Sequence, residues 1–167
     1  QQGRFSVLVD FIRQGAENLA YRKVQLEALE LSGVDYVVLE GQYSMEEIRA
    51  IYRRSSMYFL AFCESFGLPI CELQACGARV YMPDPYWASS HWISDNDFGP
   101  REPKFSSNFV VYENDPDVLA ERIREESRTF DPASVRSTFE RVQPQLLHGD
   151  RTALLEFLKR VEDGTIH

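Results

Sequence analysis

The chain has 167 residues, with 26 acidic against 18 basic side chains, a net charge of −8 and 44% hydrophobic residues. This length suits one domain large enough to bury a core. The acidic balance excludes a nucleic-acid surface built on a basic stripe, and no apolar run reaches the ~18 residues a membrane span needs. The opening residues lack the basic, apolar and small-residue succession of a secretion signal, so a cytoplasmic protein is expected.

In chain order, Arg4 to Val9 is rich in β-formers and predicts a first strand. Asp10 to Asn18, with Gly15, reads as a turn. From about Leu19 to Leu31, residues such as Tyr21, Val24, Ala28 and Leu29 supply the apolar positions of a helix that Gly33 stops. Tyr36 to Leu39 is a short continuous apolar run, the pattern of a strand covered on both faces. Ser44 with Glu47 forms a capping-box pattern, predicting a helix from Met45 to about Arg54. A third strand is expected over Met57 to Phe62, a helix over Pro69 to Cys76 and a fourth strand over Arg79 to Met82. Pro83 to Ser107 reads as loop on its prolines, Gly99 and polar cluster.

Asn108 to Tyr112 predicts a further strand. Asp115-Pro116 then starts a helix to about Ser127, and Asp131-Pro132 repeats the signal for one ending near Leu147. Asp150 begins a last helix to about Arg160, with Leu154, Leu155, Leu158 and Val161 spaced for one apolar face. This alternation predicts an α/β fold: a Rossmann-like, doubly wound, mostly parallel sheet with helices on both faces.

The most informative stretch runs from Glu64 through Ser65, Phe66, Gly67, Leu68, Pro69, Ile70 and Cys71 to Glu72, and on to Ala75-Cys76-Gly77. A carboxylate follows the buried-looking strand, and Gly67 permits a tight turn. Pro69 stands where a helix takes its first residue, with Glu72 on the first turn. Two acids and a helix N-terminus, with its free amides and positive dipole end, are thereby placed at the carboxyl end of a strand. In open α/β sheets phosphorylated ligands bind there.

The run E-S-F-G-L-P-I-C-E-L-Q-A-C-G-A resembles the E-x-F-G-x-x-x-x-E-x-x-A-x-G signature of family-4-type glycosyltransferases with the GT-B fold. The resemblance extends over roughly Gln42 to Arg124, through the capped helix and strand from Ser44 to Phe62 and the strand, D-P turn and helix from Asn108 to Ile123. It implies that residues 1–167 are the C-terminal, nucleotide-sugar-binding domain, with terminal helices from about residue 131. The N-terminal acceptor domain would lie outside this chain, and the opening Gln1 suits such a fragment. It further implies transfer with retention of configuration from a nucleoside diphosphate sugar, without another cofactor, to a glycan, lipid or small-molecule acceptor. Glu72 would hold the ribose hydroxyls, Glu64 would face the transferred sugar as the catalytic candidate, and amides at Phe66, Gly67, Leu68 and Ile70 would receive phosphate or sugar oxygens. The family's E-K-G spacing is replaced by Asp10-Phe11-Ile12-Arg13-Gln14-Gly15, which makes Arg13 the candidate for the diphosphate. Peripheral attachment of the whole protein at the membrane's cytoplasmic face is compatible with this reading.

Other groups carry blander expectations. Arg22 and Lys23 read as solvated helix charges, and Cys63, Cys71 and Cys76 as reduced packing residues. Asp95-Asn96-Asp97 has the D-x-D form that holds a metal in GT-A enzymes, but its polar-loop setting and the GT-B resemblance predict no metal site. The aromatic stretch from Tyr81 to Trp92 should border the crevice or fold onto its own apolar cluster, and His91 within it reads as structural. Two rival functions remain open from sequence: a GT-B-like epimerase or phosphorylase, and a catalytically degenerate scaffold domain.

Overall fold

The computed structural model describes residues 4–93, 103–149 and 151–165. Its centre is a sheet of β1 (Ser6–Val9), β2 (Asp35–Val38), β3 (Met57–Phe59), β4 (Arg79–Met82) and β5 (Phe109–Val111). All neighbouring pairs are parallel, in the order β2-β1-β3-β4-β5. The strands alternate with α1 (Ala16–Ser32), α2 (Met45–Arg54), α3 (Leu68–Cys76) and a 3₁₀ helix over Pro85–His91. Four helices follow: α4 (Pro116–Thr129), α5 (Pro132–Val142), α6 (Pro144–His148) and α7 (Arg151–Glu162). The fold is Rossmann-like and doubly wound, as the alternation predicts.

Strand side chains alternate between two faces, and each face has its own core. Leu8, Tyr58, Val80 and Met82 join Ile51, Tyr52, Ile70 and Leu73 of α2 and α3. Val9, Phe59, Tyr81 and Val110 join Ala28 and Leu29 of α1 and Leu119, Ala120 and Ile123 of α4. Burial from both sides explains why Met57–Phe59 reads as an unbroken apolar run. Burying each such large side chain contributes about 1.5–3 kcal/mol, so the middle of the sheet is the part least able to shift.

Four boundaries differ from the sequence expectation. Helix α1 begins at Ala16, three residues early; its first turn faces solvent and carries no apolar signal. The paired part of β3 ends at Phe59, though the chain stays buried through Phe62 and Leu60 N still donates to Tyr81 O at 3.0 Å. The 3₁₀ helix occupies part of the expected loop. The single helix expected up to about Leu147 is broken at Gln143 (φ −136°, ψ 56°), because Pro144 clashes with a helical residue before it. The apolar face of α7 is present, but none of that helix's residues is buried. Asp150, Asp95, Asn96 and Asp97 lie outside the described residues.

Candidate functional site

The chain leaves β1 for β2 on one side of the sheet and leaves β3 for β4 on the other. The loops following β1 and β3 therefore diverge, opening a crevice at the carboxyl edge where such sheets bind ligands. Val9 and Phe59 are in register, and Asp10 N donates to Phe59 O at 3.3 Å. The loop after β1 then places the Arg13 guanidinium 3.7 Å above the Phe62 ring. Arg13 is exposed and lies over a residue two positions before Glu64.

The turn depends on Gly67, whose φ of 57° falls in the left-handed region. A Cβ there would come within 3.0 Å of the Ile70 side chain and 3.1 Å of the Glu64 carboxyl carbon. Helix α3 starts at Leu68, with Pro69 second. Glu72 therefore lies beyond the first turn, which holds no acid; it is exposed, while Glu64 is half-buried. Neither acid is plugged into the core. The amides of Phe66, Gly67 and Leu68 have no acceptor among the described residues; Leu68 opens α3, where first amides go unpaired, and Gly67 before it is buried. Ile70 departs from its expected role: its amide donates to Gly67 O at 3.1 Å and its side chain has no exposure. That amide closes the first turn, leaving Ile70 as a packing residue.

The segment around the 3₁₀ helix fixes the turn from the other side. Glu64 N donates to Trp87 O at 2.9 Å, and Ser90 N to Ser65 O at 3.0 Å. The Ser65 hydroxyl meets those of Ser89 and Ser90 at 2.9 and 2.8 Å, which accounts for a serine at that position. His91 is buried, with Nε2 bonded to Phe66 O and Nδ1 to Gln143 Oε1 at 3.2 Å. Its ring stacks on Phe66 with centroids 5.6 Å apart. Trp87 packs edge-on against Tyr21 of α1. His91 is structural, as expected, and the aromatic segment is a clamp on the motif turn.

Beneath the crevice lies a buried polar cluster whose members the sequence reading did not single out as functional. The Asp10 carboxylate accepts from Phe11 N at 2.7 Å and from the Tyr58 hydroxyl. Burial pushes its pKa up, against the lowering effect of those bonds and of Arg22 and Arg13. Arg22 is 6% exposed, not a solvated helix charge. It donates to the Asp10 carbonyl, while burial lowers its pKa and its Nε has no partner among the described residues. Beside it Gln25 Nε2 donates to Leu60 O at 3.1 Å and to the Tyr112 hydroxyl at 2.9 Å. Helix α1 thus closes the carboxyl ends of β1 and β3 with side-chain donors. Tyr52 is pushed up to about 12, first by burial and then by the negative charges of Asp10, Glu72 and Glu64.

Lys23 is exposed, as expected. Among the cysteines, Cys71 is buried and its thiol is pushed up to about 11 by burial, whereas Cys63 is exposed and is not a packing residue. Among the described residues no group of three or more His, Cys, Asp or Glu is arranged to hold a metal, and no helix is long and apolar enough to cross a membrane. Chemically, the edge offers acceptor-only carboxylates for hydroxyl groups, free amides and a guanidinium for an anion, and an exposed aromatic at Phe66. No protein-family model matches this chain, and no curated protein matches its sequence.

Proposed function

We propose that this chain is the donor-binding domain of a retaining glycosyltransferase, taking a nucleoside diphosphate sugar at the carboxyl edge. One observation carries the reading: an E-x-F-G turn with three unengaged amides sits at the topological switch point, with Arg13 and Glu72 both open to solvent around it. In this reading Glu72 accepts both ribose hydroxyls. Arg13 and the amides of Phe66, Gly67 and Leu68 take the diphosphate, and Glu64 faces the sugar. Because the leaving group is an anion, stabilising the charge that develops on it supplies the main catalytic effect. The acceptor and the groups that orient it belong to a second domain.

Calorimetric titration of UDP, GDP and ADP into the folded chain tests this. One of the three should bind, and Glu72→Ala should weaken it about tenfold, equivalent to about 1.4 kcal/mol. Absence of binding by all three removes the reading. A second reading is favoured by Arg22: its guanidinium is buried against the Asp10 carbonyl rather than presented at the surface, which suits a degenerate scaffold domain. Unchanged transfer activity of the whole protein after Glu72→Ala would select that alternative.

A further inference from the structure

A cavity of about 890 Å³ opens at the amino edge of the sheet, away from the motif turn. Five arginines line it: Arg4 before β1, Arg53 and Arg54 in the last turn of α2, Arg128 in the last turn of α4, and Arg136 on α5. No Asp or Glu is among its lining residues, although acids outnumber bases 26 to 18 in the whole chain. The floor includes an edge-to-face pair, Phe5 and Phe130, with centroids 5.4 Å apart.

Helix dipoles explain part of this charge. Arg53, Arg54 and Arg128 sit where their own helices end, each end carrying roughly −0.5 of a charge. With the end of α3 at Cys76, three such ends total roughly −1.5, well short of balancing five guanidinium groups. Side-chain pairing does not balance them either. Arg4 alone among the five has a carboxylate partner among the described residues, Asp35 at 2.7 Å, in an exposed pair. Arg54 and Arg136 each commit one donor to a carbonyl, Ala50 O and Cys76 O, both at 3.2 Å. A guanidinium has five N–H donors, so most remain available. Arg53 and Arg128 form no ion pair among the described residues. The Cys76 thiol at this wall is pushed up by burial and feels the charges of Arg53, Glu72 and Arg136.

We propose that this cavity is a second anion site, independent of the carboxyl-edge reading, which takes a ligand carrying two or more phosphate groups. Several incompletely used guanidinium groups around a concave surface match the fork geometry of phosphate recognition, and no Asp or Glu lines that surface to engage them.

The test is calorimetric titration of tripolyphosphate into the full chain, with vesicles of phosphatidylcholine with and without phosphatidylinositol bisphosphate as a parallel arm. Tripolyphosphate should bind, and the combined Arg53→Gln and Arg128→Gln variant should weaken it at least about tenfold. The binding that the double variant loses should persist in Arg13→Ala, and raising the salt should weaken it. Capture by the phosphoinositide vesicles with the same arginine dependence assigns the ligand to a lipid headgroup; binding of the free anion alone assigns it to a soluble one. Tripolyphosphate should also raise the melting temperature of the wild type but not of the double variant. No binding in either arm overturns the proposal, as does binding lost with Arg13→Ala and retained by the double variant.

Discussion

The two edges of this sheet share their strands and differ in almost everything else. At the carboxyl edge, the loop after β1 carries Asp10 and Arg13, and the turn after β3 carries Glu64 and unengaged amides. At the amino edge, five arginines face one cavity without an acid. Part of the contrast follows from chain direction: helices returning antiparallel to the strands bring their N-termini to one edge and their C-termini to the other, and each end favours opposite charge. Sign alone therefore identifies neither edge as a site. What distinguishes them is what remains unsatisfied: amides on one side, guanidinium donors on the other.

The comparison can be broken most severely through what the edges share. Phe59 on β3 has no exposure and packs edge-on against Tyr81 and Tyr112. Phe59→Ala should cost about 3–5 kcal/mol in urea unfolding and degrade both edges together. Next in size is Gly77→Ala, at the turn between α3 and β4. With φ 98°, an added Cβ would lie 2.8 Å from Pro132 Cβ and 2.9 Å from Pro132 O. It should cost about 2 kcal/mol or more and disturb the α5 wall of the amino-edge cavity, leaving carboxyl-edge nucleotide affinity close to wild type. Smaller again is Glu72→Ala, which should weaken nucleotide binding about tenfold while changing unfolding stability by less than about 0.5 kcal/mol, because the side chain is exposed.

The smallest effect concerns pH. Asp10 has a folded-state pKa above its ordinary 3.8, so the folded state holds that proton more tightly than the unfolded chain does. Its contribution to stability is therefore greatest at low pH and declines as pH rises from 3.8 through the raised value, then stays level. Asp10→Asn removes this dependence. Melting temperatures of the two proteins should move in the variant's favour across that window, and parallel curves would show that Asp10 is not shifted.

Sequence pattern exposed β1, β3 and β4 well, because they are apolar on both faces and leave short, dense runs, whereas β2, expected to be covered on both faces, is an edge strand with Val37 exposed. The motif turn was also visible, since Gly67 and Pro69 punctuate a strand-to-helix junction. The placement of Glu72 erred by part of a turn because Leu68, not Pro69, begins the helix. A charged residue in a helical pattern suggests water, whereas Arg22 is buried and donates to the Asp10 carbonyl just after β1. The amino-edge arginines come from four separated segments, so no sequence window gathers them. The apolar spacing of α7 described that helix but not its surroundings: Leu154 and Leu155 are over half exposed.

His91 has a consequence for motion. One imidazole joins the backbone carbonyl of Phe66 to the side chain of Gln143, the residue at which α5 gives way to α6. The peptide that would cradle a donor is therefore moored to the chain's later helices, and any swing of that peptide must either carry the Gln143 kink with it or snap the mooring.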